Sequence, residues 1–300
     1  MIQSFLAFLI LIATTTIGSL VPVDIVTQHS KGYSCEELTL IKEDLNNIDR
    51  LLFRGKKPSK HPFYIATAGG PGACKSTILE TLLHEDPSFK NVVYVDPDPQ
   101  SLRLMINTYL TKSLSFYAIS KKESFAKAQM NAYNYWRGGS NYIACTLLNK
   151  AFDKRFNIAH GTTSTSPAVE NLYKTLKANG YKIYLVLCYA EPETRANAIA
   201  HRSVTQANYQ VTPEDAVEKG KVFPERFPIY FKYADSLRFY WTCDFSTGSK
   251  EVARIENKSL KIFDKSGYET FVEQYTKERA AAGNTWPAWE ELLKIQEIES

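Results

Sequence analysis

The ten residues from Ala68 to Thr77 read AGGPGACKST, and they follow Phe63 to Thr67 (FYIAT), a short apolar run with strand character. From Ser76 to His84 (STILETLLH) the spacing turns helical. Strand, glycine turn and helix stand in the order a phosphate site requires. Backbone N–H groups curl round phosphate oxygens at a helix N-terminus, a lysine reaches the terminal phosphates, and a hydroxyl serves a divalent cation. Gly69, Gly70, Pro71, Gly72, Ala73, Lys75, Ser76 and Thr77 meet that need, which predicts nucleotide binding. Cys74 stands where the usual pattern has its second fixed glycine. A thiol there either crowds the phosphate or demands a backbone adjustment, although cysteine is small and keeps its N–H. Next to Lys75 at a helix N-terminus it is also expected to ionise readily, so oxidation that closes the site is a second reading beside a passive substitution.

Outward from this loop, strands alternate with helices. Asn91 to Val95 (NVVYV) predicts a buried strand closed by Asp96-Pro97-Asp98-Pro99, whose Asp-Pro steps break regular structure. Residues 123 to 155 read as helical with an interruption at Gly138-Gly139-Ser140, leading into a third strand from Arg155 to Ala159. A crossover of that length implies parallel pairing. Pro167 to Ala178 predicts a helix, Tyr181 to Tyr189 a fourth strand and Glu191 to Arg202 a helix, with late strands at Arg238 to Cys243 and Leu260 to Phe263. Upstream, Ser34 with Glu37 three residues on marks a capped helix start, followed by Leu38, Ile41, Leu45 and Ile48 at helical spacing. The strands are continuously apolar, which predicts an α/β fold: a parallel sheet with helices on both faces and a helical C-terminal elaboration, in one domain over residues 31–300. The aromatics after Lys221 are expected to be core, and Gly283 to Ser300 a turn and terminal helix.

In open α/β sheets ligands sit at the carboxyl ends of strands, where Asp96 and Asp98 fall. A kinase acting on a hydroxyl needs a carboxylate to take its proton, and these two are candidates; the plain alternative is an Asp-rich turn. The third strand ends Asn157-Ile158-Ala159-His160-Gly161-Thr162-Thr163 at the same edge, so His160 is placed to bind substrate, move a proton or cap the turn. Arg195 and Arg202, after the fourth strand, are candidates for the cation that neutralises a transferring phosphoryl group, or solvated surface residues.

The whole chain sets limits on these readings. Its 300 residues, 44% hydrophobic and 23% charged, carry a net charge of only +4, which excludes the dense basic surface of a non-specific nucleic-acid binder. Five scattered cysteines (Cys35, Cys74, Cys145, Cys188 and Cys243) form neither a disulfide framework nor a zinc motif. No charged side chain occurs from Met1 to Val23, and Phe5 to Ala13 (FLAFLILIA) is continuously apolar. Residues 1–30 are therefore expected to be a signal-like segment, or a membrane anchor over about 20 residues from Phe5 to Val23, with a buried or interfacial helix as the remaining choice.

The succession AGGPGACKST, NVVYVDPDP, WRGGSNYI, FNIAHGTT, GYKIYLVL, AHR and VTPEDAV resembles the zeta toxin family of P-loop small-molecule kinases over about residues 62–216. The resemblance implies a nucleotide-kinase-like fold, ATP with Mg²⁺, and phosphorylation of a sugar hydroxyl of UDP-N-acetylglucosamine or of another hydroxyl acceptor. By the same resemblance Lys75 is the phosphate-loop lysine, Ser76 the Mg²⁺-binding hydroxyl, Asp98 the general base, Thr162 a substrate contact and Arg202 the phosphate-neutralising arginine; Asp96 and His160, from their place at the same sheet edge, are the further candidates for binding substrate. Three positions depart from the pattern. Cys74 replaces a glycine, His160 stands where the family has Glu, and the second arginine is replaced by Gln210 or a neighbour, with Arg226 as a substitute. The expected partners are a small-molecule acceptor and an antitoxin-like protein, with no nucleic acid and with membrane association through residues 5–23. The protein is expected to be exported or anchored, with the kinase domain working in an ATP-containing cytoplasm. A degenerate nucleotide-binding regulatory module and a nucleoside-triphosphate hydrolase are the competing functions.

Overall fold

A computed structural model describes residues 19–119, 125–205, 213–244 and 247–297. The apolar run from Phe5 and the Gln210 position lie outside the described residues. The described chain is packed from its start. Leu20 is buried, Val21 exchanges two hydrogen bonds with the Asn149 side chain (2.7 and 2.9 Å), and the short helix α1 (Val23–Gln28) follows. Among the described residues no helix is long and apolar enough to cross a membrane.

Seven strands form one sheet in the order β2-β3-β1-β4-β5-β6-β7. β1 (Phe63–Ala68) pairs in parallel with β3 (Asn157–His160) and β4 (Lys182–Ala190). β2 (Val92–Val95) and β5 (Ser236–Asp244) extend the parallel part on either side. The interior strands are buried on both faces, as their continuous apolar sequences require. Ile65, Ala159 and Val186 face α3 (Lys75–Glu85), while Tyr64, Ala66, Ile158 and Leu185 face the larger core on the opposite side. β6 (Gly248–Glu256) and β7 (Ser259–Ile262) add an antiparallel meander to the edge. The sheet is thus mixed where a parallel one was expected, and β6 was missed because only part of it is buried.

Helix α2 (Cys35–Leu52) begins with the expected box: Ser34 N–H donates to Glu37 Oε2 (2.8 Å) and Glu37 N–H to Ser34 Oγ (3.2 Å). After β2 come the helix α4 (Thr111–Ile119) and the long α5 (Phe125–Asp153). The expected interruption at Gly138-Gly139-Ser140 does not occur, and α5 runs through it. The glycines serve packing instead of a turn. Tyr33 crosses α5 there, stacked on Trp136, with its hydroxyl accepting from Gly139 N–H (2.9 Å), and Ile41 and Met105 close on Gly139 where a side chain would stand. Arg155, expected to open the third strand, takes a left-handed turn (φ 57°), so the strand starts at Asn157.

The remaining helices are α6 (Val169–Ala178), α7 (Pro192–Thr205), α8 (Pro213–Gly220), α9 (Val222–Glu225), α10 (Phe227–Tyr233), α11 (Lys265–Ala281) and α12 (Trp289–Ile295). The C-terminal aromatics are core. Phe227, Phe231, Phe239, Phe271, Tyr275 and Trp289 are buried together between α10, α11, α12 and β5.

One buried carboxylate ties the region after β2 to α2. Asp44 accepts from Asn107 N (2.9 Å), Asn107 Nδ2 (3.0 Å), Thr108 N (3.1 Å) and Thr108 Oγ1 (2.7 Å). The segment so held starts from the Asp96–Asp98 turn, since Leu102 and Arg103 N–H donate to the Pro97 and Asp98 carbonyls. Asp44→Ala orphans four donors and is expected to lower the unfolding free energy by about 3 kcal/mol. Asp44→Asn should recover part of the loss, both read by urea denaturation.

Candidate active site

A cleft of about 420 Å³ opens over the carboxyl ends of β1, β2 and β3. Its walls are the glycine loop (Pro71, Gly72, Cys74, Lys75, Ser76), the β2 turn (Asp96, Pro97, Asp98), the β3 turn (His160 to Thr163) and one face each of α5, α7 and α8.

The glycine loop is built by close approach. A Cβ on Gly72 would overlap the Arg195 carbonyl, and one on Gly70 the Arg195 guanidinium. The loop turns into α3 through Cys74, which takes the left-handed conformation (φ 54°, ψ 19°). That settles what the departure demands: the backbone keeps a glycine-like shape and cysteine bears the strain, while its side chain packs against the cluster around Cys188 and lines the cleft. The first turn of α3 leaves the N–H groups of Lys75, Ser76 and Thr77 without intrahelical acceptors, directed at the cleft end. Ser76 lines the cleft and the Thr77 side chain is exposed. Lys75 Nζ donates to Gly70 O (2.7 Å), and desolvation lowers its pKa to about 8, with Arg202 adding to the fall against the opposing pull of Cys188 and Asp96.

Opposite lies the acidic turn. Asp96 is buried, accepting from Asp98 N–H (2.8 Å) through Oδ1 and from Tyr94 O–H (3.3 Å) through Oδ2. Gly161 is required beside it, since a Cβ there would stand on the Asp96 carboxylate. Burial, reinforced by the Asp98 charge, raises the Asp96 pKa to about 6. Asp98 is more open and forms an ion pair through Oδ1 with Arg137 of α5. Arg137 also lies over the Tyr133 ring (5.6 Å), four residues earlier on the same helical face.

The β3 turn is sewn to the end of β1. Thr67 Oγ1 donates to Thr162 O (2.7 Å), Ser164 Oγ to Thr67 O (2.8 Å) and Gly69 N–H to Thr163 O (3.1 Å). His160 pairs in register with Ala66 and Val95, and its Nδ1 lies 2.7 Å from the Tyr64 hydroxyl. Burial lowers its pKa to about 4, so the ring is neutral near pH 7.

Of the residues singled out from the sequence, Pro71, Gly72, Cys74, Lys75, Ser76, Asp96, Asp98, His160, Thr162 and Arg202 line this one cleft. Two cations do not. Arg195 is buried behind the glycine loop and donates to Ala216 O (2.8 Å), because its carbonyl and guanidinium fill the space the loop glycines leave. Arg226 is turned to Thr165 O (3.4 Å). Arg137, Tyr133 and Lys219 line the cleft without having been anticipated. The signal for Arg137 was an arginine four residues after Tyr133 on an otherwise apolar helix face, next to Trp136.

A mixed sheet whose first strand, in its parallel part, enters a glycine loop and then a helix, with acids and cations facing that loop, defines a P-loop α/β protein of the kinase type. The Zeta toxin family model matches residues 49–226, more than half the chain, and the chain belongs to the zeta toxin family. It is 29% identical over 145 residues to Toxin PezT of Streptococcus pneumoniae serotype 4, an alignment covering 48% of this chain and 51% of that protein, so the chain spans about half the length of this curated relative. Among solved structures, a chain of the PezAT chromosomal toxin–antitoxin system of Streptococcus pneumoniae superposes with a TM-score of 0.53 at 18% identity, covering 84% of this chain and 98% of that one. A chain of the AvrRxo1-ORF1:-ORF2 structure with ATP superposes with a TM-score of 0.52 at 14% identity, over 88% and 90%. At these identities the likeness is one of fold.

Cys74→Gly removes a left-handed non-glycine residue and is expected to raise stability by about 1 kcal/mol, seen as a higher thermal midpoint. Asp96 binds its proton more tightly folded than unfolded, so the stability it contributes is full below about pH 4 and lost as pH rises through about 6. Asp96→Asn should therefore be more stable than the native protein at pH 7 by on the order of 1 kcal/mol, with the advantage gone at pH 4, in paired urea titrations.

Proposed function

We propose that the protein is an ATP-dependent phosphotransferase acting on a hydroxyl of a small molecule, with a nucleotide sugar such as UDP-N-acetylglucosamine as the first acceptor to try. The observation that carries this reading is the opposition, across one cleft, of a glycine loop with its lysine and an acidic turn with its own arginine. The family membership and the fold likeness to a structure solved with ATP support it.

The triphosphate lies against the N–H groups at the start of α3, where the helix dipole and unpaired donors favour anions. Lys75 turns from Gly70 O to the terminal phosphates, whose charge restores the affinity for protons that burial removes. Arg202 and Lys219 approach the same phosphates from α7 and α8. Asp98 takes the proton of the acceptor hydroxyl. The hydroxyl oxygen bonds to the γ-phosphorus as the bond to the bridging oxygen breaks, and ADP leaves with that electron pair. Arg137 fixes one Asp98 oxygen, and Asp96 holds the turn by accepting the Asp98 N–H.

Ser76 is the residue that would hold Mg²⁺, which when bound offsets charge on the β- and γ-phosphates. The donors present are hydroxyl and carboxylate oxygens, which suit a hard cation. Among the described residues no trio of His, Cys, Asp or Glu is gathered to hold a metal unaided, so phosphate oxygens and water would complete the shell. An antitoxin-like protein partner is part of the same proposal, supported by neighbours solved as parts of a toxin–antitoxin system and of a two-protein assembly. The proposed reaction places this domain in an ATP-containing compartment.

The test is to incubate the protein with Mg-ATP and a panel of nucleotide sugars and read the mass gain of one phosphate. Lys75→Ala and Asp98→Asn are each expected to lower the rate by on the order of 100-fold or more. Nucleotide binding should be lost in Lys75→Ala and kept in Asp98→Asn, by calorimetry. ADP and free phosphate without a phosphorylated acceptor would replace the kinase reading with hydrolysis. Binding without turnover would replace it with a regulatory module.

A further inference from the structure

We infer that His160 faces the acceptor as a hydrogen-bond donor, and that the substrate of this cleft carries a neutral oxygen acceptor, a carbonyl or ether oxygen, beside its reacting hydroxyl. The inference rests on the phosphotransferase reading for the word acceptor, and on the ring geometry for the rest.

Tyr64 is buried in the core below the cleft. Its hydroxyl lies 2.7 Å from His160 Nδ1, the one described atom within hydrogen-bond reach of it. Burial raises the Tyr64 pKa far above its ordinary value, so the phenol keeps its proton, and with no other described acceptor in reach that buried O–H is satisfied by donating to Nδ1. Nδ1 is then an acceptor. The imidazole is neutral, so its single proton sits on Nε2. No described group accepts from Nε2, and the ring lines the cleft. Tyr64 is thus a positioning residue that selects the tautomer.

The neighbouring hydroxyl has the same polarity. Thr162 Oγ1 accepts from Ser164 N–H (3.1 Å), which leaves its own proton to donate into the cleft it lines. The β3 turn therefore presents two donors side by side, while the acceptor function at this end belongs to Asp96 and Asp98. Charge decides between kinds of oxygen. Asp96 stands against Gly161, next to His160, and Asp98 belongs to the same turn, paired with the guanidinium of Arg137, whereas Lys75, Arg202 and Lys219 are the residues assigned to the phosphates above. An anionic oxygen next to His160 would face those carboxylates. A neutral one meets two N–H and O–H donors without that cost.

The experiment uses the full chain in two arms. In the first, ¹⁵N-histidine labelling and long-range proton–nitrogen spectra read which ring nitrogen of His160 carries the proton, with His160→Gln assigning the signal. A proton on Nε2, giving way to mixed tautomers in Tyr64→Phe, is expected; a proton on Nδ1 overturns the inference. In the second, kcat and KM are measured for UDP-N-acetylglucosamine (amide carbonyl), UDP-glucosamine (ammonium) and UDP-glucuronate (carboxylate). The amide is expected to be favoured over the ammonium by tenfold or more in kcat/KM, chiefly through KM, with the ratio collapsing or reversing in His160→Glu. A ratio indifferent to His160→Glu overturns the donor role, and a preference for the carboxylate overturns the neutral oxygen. If no acceptor is phosphorylated, the phosphotransferase reading fails by itself, and the ring spectrum alone decides whether His160 is a donor.

Discussion

The guanidinium of Arg195, buried at 3% exposure, is the constraint round which the phosphate end of the cleft is arranged. Its carbonyl sets how close Gly72 comes, its side chain fills the space beside Gly70 and Gly220, and its Nη1 donates to Ala216 O. One residue of α7 thereby packs against both the glycine loop and the helix α8, which carries Lys219 to the same cleft. A cation taken out of water needs nearby negative charge or carbonyl dipoles. Glu278 supplies part of this from α11, held in place by the Tyr189 hydroxyl and by Gln274 Nε2 (2.8 Å), and its field opposes the effect of burial on Arg195. The C-terminal elaboration is in this sense a support for the glycine loop, although none of its described residues lines the cleft.

Charges that burial disfavours collect in the cleft. Lys75 is pushed toward its neutral form, Asp96 toward its protonated form and His160 away from its cationic form, all chiefly by desolvation. A fold does not gain stability from such groups. Asp44, also buried, is bonded differently: it accepts four hydrogen bonds and holds the turn-bearing segment against α2. The two carboxylates are thus alike in burial and differ in bonding. Within the 96–98 turn itself, Asp96 Oδ1 accepts the Asp98 N–H (2.8 Å).

The central strands were legible because burial on both faces leaves an uninterrupted apolar run, and the glycine loop because its chemistry dictates residue types at fixed spacing. β6 was not, since its alternation is half-hearted and it lies between β5 and a short edge strand, β7. The Gly138-Gly139 pair misled for a physical reason: a glycine marks either a backbone that must turn or a neighbour that comes close, and sequence alone does not distinguish them. Here it is Tyr33 and Ile41 that come close. Arg137 was passed over because its partner lies 39 residues away, and only the packing of α5 over β2 brings the two together. Arg195 and Arg202 are seven residues apart on one helix, close to two turns. The face each presents depends on how α7 sits against the loop, which is a tertiary fact.

The departures at Cys74 and at His160 differ in kind. At Cys74 the requirement is conformational. The backbone takes φ 54° whatever the side chain, the amide is retained, and the cost is a strain of about 1 kcal/mol that the packed thiol partly offsets. At His160 the requirement is one of polarity: a neutral ring with Nδ1 already engaged by Tyr64 has only a donor left to offer, so the residue cannot stand in for a carboxylate. Substitution of a conformational requirement leaves the chemistry of a site where it was, and substitution of a polar one changes what the site recognises. At Cys74 the loop thus keeps the backbone shape that the glycine pattern calls for, and at His160 the β3 turn changes polarity.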